Sequence, residues 1–169
     1  NAIDELINQT KQSLNNESAK NEVYGAQIAF NVIPAGNLEE NDYTDEEMKI
    51  SHETKKILDE KVNISATTVR VPVVYGHSIA AHVKTNKKIN LPNLHRAFET
   101  QTGLEKYSEK DFLSPNPLEH AEGKDPVSVG RIRADLWEDD RVNIWIVADN
   151  LRKGAALNSL QIMERIMEK

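Results

Sequence analysis

With 169 residues, 38% hydrophobic and 28% charged, the chain is long enough to bury a core and too apolar for a disordered tract. Its net charge of −6 excludes a general binder of nucleic acid or anionic membrane, which needs a basic face, although a local basic pocket is still allowed. The lack of cysteine excludes disulfides and thiolate metal sites, and no apolar run approaches the roughly 20 residues of a membrane-spanning helix. With no linker composition anywhere, a single domain over residues 1–169 is expected, soluble and cytoplasmic. Asn1 stands where an initiator methionine would, which predicts residues upstream.

Ile3, Leu6, Ile7 and Leu14 at helical spacing predict a helix over Ala2 to Leu14, dissolving into the polar Asn15-Asn16-Glu17-Ser18. Gln27 to Ile33, short and apolar between Gly25 and Pro34, predicts a strand, and Pro34-Ala35-Gly36-Asn37 a turn. Thr44 and Glu47 stand at capping-box spacing and open a helix running to Glu60, with Ile50, Ile57 and Leu58 as its apolar stripe. The β-branched runs Val62 to Val74 and Ser78 to Lys84 predict two strands joined as a hairpin at Tyr75-Gly76. Leu91 to Thr102 reads as a helix, with Pro92 in its first turn and Gly103 at its C-terminal cap.

Gly103 to Asp125 contains Ser114-Pro115-Asn116-Pro117 and predicts a long irregular connection. Val127 to Trp137 and Arg141 to Asp149 predict two more strands. In the second, Val142, Ile144, Ile146 and Ala148 alternate with Arg141, Asn143, Trp145 and Val147, the pattern of a sheet with one buried face. Because Trp145 and Val147 are apolar on the supposedly polar side, a second sheet or subunit is expected to cover them. Lys153 to Met167 predicts a final helix with Ala156, Leu160, Met163 and Met167 along one side. Together these elements give an α+β class: a largely antiparallel, mixed sheet with helices on one face.

Arg70 lies among Val69, Val71, Val73 and Val74, where a guanidinium is costly to bury unless an anion meets it. That anion is either a ligand's carboxylate or phosphate, or an internal Asp or Glu in a structural ion pair. His77 opens a strand shared with Ile79, Ala81 and Val83, at the edge of the core, where an imidazole can accept and return a proton or simply be packed and hydrogen-bonded. His82 alternates onto the other face, and His52, His95 and His120 share no ligand spacing with it, so no metal site is expected. Glu46, Lys49, Glu53 and Lys56 recur along one helical face, ordinarily a solvated charge stripe, but with Glu47 serving the cap Glu46 is left free. In Ala148-Asp149-Asn150-Leu151-Arg152-Lys153-Gly154-Ala155-Ala156, Asn150 is expected to cap a helix while the small residues admit another backbone or a flat ring.

Five stretches, QIAFNVIP, YTDEEMKISHETKKIL, ATTVRVPVVYGHS, VGRIRADL and VADNLRKGAALN, resemble in order the C-terminal catalytic and dimerisation part of bacterial-type aspartate-semialdehyde dehydrogenases. The resemblance spans Gln27 to Asn158 and implies a fold like the C-terminal domain of glyceraldehyde-3-phosphate dehydrogenase. It implies reductive dephosphorylation of aspartyl phosphate to aspartate semialdehyde with NADPH, through an enzyme thioester, in lysine (diaminopimelate), threonine and methionine biosynthesis. On this resemblance His77 is the general acid/base, Arg70 clamps the substrate carboxylate, Glu46 receives its ammonium and Lys49 binds phosphate. Asn150 would reach the nicotinamide end of NADP, and two copies would pair as a homodimer through the sheet. The family's Rossmann domain and catalytic cysteine lie upstream of the matching region, so the chain alone is expected to be inactive. A non-catalytic dimerisation or ligand-binding domain reusing the fold is the alternative from another class. A related acyl-phosphate reductase is a third, which Glu46 weighs against because only an amino-acid substrate brings an ammonium.

Overall fold

The computed structural model describes residues 1–107 and 114–168. These fall into two compact units, Asn1–Val74 and Tyr75–Lys169.

In the first unit, helix α1 (Ala2–Leu14) starts at a capping box in which the Asn1 side chain accepts from Ile3 and Asp4 N–H. Leu6 packs with Ile28 and Ala29 to form a small apolar core. The strand expected over Gln27–Ile33 shrinks to β1 (Ile33–Pro34), because Phe30 turns to a φ of 59° and Asn31 N–H bonds back to the Ile28 carbonyl. The N–H groups of Ile28 and Ala29 go instead to the side-chain oxygen of the buried Gln9, at 2.8 and 3.2 Å. Helix α2 (Asp45–Ile57) begins at the expected capping box, with Thr44 N–H donating to Glu47 and Glu47 N–H to Thr44 Oγ1. It ends three residues before the expected Glu60, and its expected stripe faces outward, with Ile57 and Leu58 mostly exposed.

The expected hairpin about Tyr75-Gly76 does not form. Of Val62 to Val74 only β2 (Val69–Arg70) is a strand, and it pairs antiparallel with β1, setting Arg70 opposite Ile33. Pro72 removes a ladder donor, and Val73 N–H closes a tight turn onto the Val71 carbonyl.

The second unit is built on a four-stranded sheet in the order β3-β6-β5-β4. Its members are β3 (His77–Lys84), β4 (Leu104–Lys106), β5 (Val127–Ala134) and β6 (Arg141–Ala148). Only the β4–β5 pair is parallel, so the sheet is largely antiparallel and mixed, as expected. Val129, Ile132, Val142 and Ile144 form the core, covered by Leu94 and Phe98 of α3 (Leu91–Thr100), whose N-terminus carries Asn90 as cap and Pro92 in its first turn. A bulge places Arg131 and Ile132 opposite the single residue Ile144, with Arg131 at a φ of 50°, and so keeps Ile132 pointing into the core. Asp135 ends β5 three residues before the expected Trp137 by accepting from Trp137 and Glu138 N–H.

The connection after Gly103 carries β4 and a short helix, α4 (Pro117–His120); the remainder of that expected irregular stretch, 108–113, lies outside the described residues. The Pro115–Ala121 part of this segment packs against the outer face of β5 and β6. Trp145 Nε1 donates to the Pro115 carbonyl at 2.6 Å, Val147 is fully buried, and a Cβ on Gly130 would stand 2.5 Å from Pro115. After β6, residues Arg152–Ala156 form a π-helical turn that runs into α5 (Leu157–Met167), shorter than the expected helix and with Leu160, Met163 and Met167 exposed. No described helix is long and apolar enough to cross a membrane.

Candidate active site

The residues singled out from sequence fall into two sets. Glu46, Lys49 and Arg70 lie in the first unit; His77 and Asn150 lie in the second.

Glu47 organises the first set. Its carboxylate accepts from Thr44 N–H at the helix start and from Thr68 N–H, two residues before Arg70, each at 2.9 Å. One carboxylate therefore stitches the N-terminus of α2 to the strand carrying the guanidinium, and the Thr68 hydroxyl adds a bond to the Ala35 carbonyl. The Thr44 and Thr68 N–H groups hold the Glu47 carboxyl below its ordinary pKa. Asp45, bonded by Asn37 through backbone and side chain, is lowered in the same way. With Glu47 and Asp45 committed, Glu46 stays half-buried and uncommitted, one helical turn from the exposed Lys49.

Arg70 is exposed, as are its valine neighbours, so the expected burial of the guanidinium within a packed strand does not occur. Among the described residues no Asp or Glu lies within ion-pair distance of it. Among the described residues the guanidinium therefore makes no structural ion pair and stays open to an anion.

In the second unit His77 is the first residue of β3, opposite Ala148 at the end of β6. His77 is exposed and Ile79 beside it is 53% exposed, while Ala81 on the same face packs against the core, so the imidazole stands on open sheet surface just beyond the core's edge. His82 projects on the opposite face and meets Asp135 at 3.1 Å.

Asn150 does not cap the helix that follows. That service belongs to Asp149, which sequence reasoning passed over: its carboxylate accepts from Leu151 and Arg152 N–H through one oxygen and from Gly123 N–H through the other. Burial pushes the Asp149 carboxyl up, but the Gly123, Arg152 and Leu151 N–H groups outweigh it, so the group is lowered overall. Two adjacent Asx residues were the available signal, and only the three-dimensional path of the chain decides which one turns inward. Asn150 Oδ1 instead accepts from Gly76 N–H at 3.1 Å, and among the described residues its Nδ2 has no acceptor. A Cβ built on Gly154, one turn on, would meet only the Asn150 Cβ, at 3.8 Å, among the described residues, so the backbone there is open on that side.

Among the described residues no group of three His, Asp or Glu side chains is placed to hold a metal. The arrangement can bind an anion at Arg70 and Lys49, receive a cation at Glu46, and exchange a proton at His77.

The family described as semialdehyde dehydrogenase, dimerisation domain, matches residues 1–153. The chain is 44% identical over 167 residues to aspartate-semialdehyde dehydrogenase 2 of Vibrio cholerae, covering 98% of this chain and 49% of that protein. Over 99% of its length it superposes on half of the crystal structure of aspartate semialdehyde dehydrogenase II from Vibrio cholerae in complex with ASA, at 42% identity and a TM-score of 0.92. A probable aspartate-semialdehyde dehydrogenase from Pseudomonas aeruginosa matches with a TM-score of 0.91 at 30% identity, over 98% of this chain and 49% of that one. The chain spans about half the length of the curated relatives it matches.

Proposed function

Because the chain belongs to the semialdehyde dehydrogenase dimerisation-domain family, we propose that it is the substrate-binding and dimerisation part of an aspartate-semialdehyde dehydrogenase. The whole protein would reductively dephosphorylate aspartyl phosphate to aspartate semialdehyde in amino-acid biosynthesis. The single observation that carries this reading is the exposed Arg70, with no internal carboxylate to meet it among the described residues, on a strand tied by Glu47 to the helix that bears Glu46 and Lys49. A non-catalytic module reusing the fold has no need of such a set.

In this reading Arg70 holds the substrate carboxylate by paired N–H donors, Glu46 balances the substrate ammonium, and Lys49 meets the phosphate. Three charges on a small dicarboxylate-derived metabolite fix its orientation, which turns a bimolecular encounter into a positioned one. His77 takes the proton from the attacking thiol and returns one as the thiohemiacetal collapses. The thiol itself must come from elsewhere in the protein, since this sequence holds no cysteine, and without it Arg70, Glu46, Lys49 and His77 turn nothing over. NADP supplies or accepts the hydride when bound. Of this chain's residues Asn150 suits it, with one amide donor unspent beside the open space at Gly154. Pairing of two copies through this domain completes the proposal, and a chain that sediments as a monomer at every concentration would remove that part.

The test is phosphate-dependent oxidation of aspartate semialdehyde by the full-length enzyme carrying this segment. His77→Ala is expected to lower kcat by about 100- to 10,000-fold, the usual contribution of a general acid/base. His82→Ala, which removes only the contact with Asp135, is expected to keep it. Equal loss from both variants would count against the assignment.

A further inference from the structure

The antiparallel β3–β6 ladder ends at the pair His77 and Ala148, so the residue offered as acid/base sits on its last rung, where strands fray. One residue further on, the Gly76 N–H would have no strand partner. It finds the side-chain oxygen of Asn150, 3.1 Å away and two residues past the end of β6. Asn150 thus adds a rung made by a side chain, on the residue immediately before His77.

Both ends of that rung are fixed. Gly76 adopts a φ of 94° and is so closely packed that a Cβ would stand 2.6 Å from the Ala121 Cβ and 3.2 Å from the Ala148 carbonyl oxygen. The Asn150 backbone is held by its neighbour Asp149, 4% exposed, whose carboxylate ties Leu151, Arg152 and Gly123 together. Arg152 adds an ion pair with Asp125. Among the described residues nothing comparable grips the histidine ring itself, which stands on open surface. Placement of the imidazole therefore depends on how well the backbone at Gly76 is held.

We propose that Asn150 is a positioning residue for His77: its side-chain carbonyl, accepting from Gly76 N–H, closes the open end of the β3–β6 ladder and fixes where the imidazole stands. This rests on His77 being the acid/base, and it is separate from any contact the Asn150 amide donor makes with a cofactor. The two roles use opposite ends of one amide and come apart by substitution. Asn150→Asp keeps the accepting oxygen and loses the donor; Asn150→Ala loses both.

In the full-length enzyme, Asn150→Ala is expected to lower kcat by about 10- to 100-fold, the scale of a small misplacement of a reacting group. The limb of the pH–rate profile that follows His77 should move with it, while KM for NADP changes little. Asn150→Asp is expected to restore most of kcat and the wild-type limb, and to raise KM for NADP. Should Asn150→Ala fail to fold, Asn150→Ser, too short to span to Gly76, carries the same comparison. A rise in KM for NADP with kcat and the limb unmoved in Asn150→Ala would overturn the proposal, as would an Asn150→Asp enzyme no better than Asn150→Ala. His77→Asn separates the two claims. If it retains kcat, the acid/base reading falls, and the positioning claim is judged on the His77 ring titration followed by NMR: displaced in Asn150→Ala and normal in Asn150→Asp sustains it, unmoved in both overturns it.

Discussion

The two units solve the problem of holding a backbone in different ways. The second buries Val129, Ile132, Val142 and Ile144 between a sheet and a helix, and its ladder hydrogen bonds follow from strand pairing. The first has a smaller apolar core around Leu6, Ile28 and Ala29, and uses side chains where the second uses strands. The buried Glu5 accepts from Glu22, Val23 and Tyr24 N–H, Gln9 from Ile28 and Ala29, and Glu47 from Thr44 and Thr68. A sheet satisfies backbone donors generically, whereas a side-chain anchor satisfies particular ones and lets the chain take irregular paths between them. The contrast teaches that Glu46, Lys49 and Arg70, the charges proposed to meet substrate, ride on polar anchors, while His77, the proposed acid/base, rides on the sheet of a packed unit.

The contrast is sharpened first by deleting apolar volume. Ile132→Ala is expected to cost about 2–5 kcal/mol in urea unfolding of the second unit, with α1 and α2 amides exchanging as before. Removing a polar anchor should cost less and act more locally. Gln9→Ala leaves the Ile28 and Ala29 N–H groups without partners and is expected to cost about 1–3 kcal/mol, read as faster hydrogen exchange at those two amides. If β5 and β6 amides open to the same degree, the two units do not respond separately and the comparison breaks. Smaller still, Thr44→Ala removes the N-cap of α2 and is expected to cost about 0.5–2 kcal/mol, visible as lost helicity.

The last lever is acid. Glu47 and Asp149 both have carboxyls lowered in the folded chain, so the unfolded chain binds more protons as pH falls through the ordinary carboxylate range, and the stability they contribute above it is lost on the way down. Glu47→Gln is expected to flatten the acid side of the stability profile of the first unit and leave that of the second, where Asp149 sits, unchanged. An unaltered acid slope in both would show that the Glu47 bonds contribute nothing to it.

What the sequence revealed tracks how local each cause is. The α2 cap was legible because Thr44 and Glu47 are three residues apart and bond each other, and β6 because Arg141 to Ile144 alternate and the β-branched run continues past them. The second bond of Glu47, to Thr68, joins residues 21 apart and leaves no local mark. The strand expected at Gln27–Ile33 was lost for the same reason, since its donors are taken by Gln9, 19 and 20 residues earlier. Trp145 and Val147 announced a covered face, and the chain's own Pro115–Ala121 stretch lies against it, a contact between residues 30 apart that side-chain polarity alone does not reveal. Arg70, His77 and Asn150 were singled out by type and motif. Their surroundings, an open guanidinium, an open imidazole and an amide turned back onto Gly76, required coordinates.

The turn over Arg152–Ala156 is π-helical, wider than the α-helical turns of α5 that follow it. It is slack in the chain between Asn150 and the terminal helix: one residue removed there is taken up as the wide turn tightens to an α-helical ladder. The same deletion inside α5 has no slack to draw on and turns every side chain beyond it by about 100° around the axis. Length is therefore forgiven at this corner and nowhere along the eleven residues that come after it.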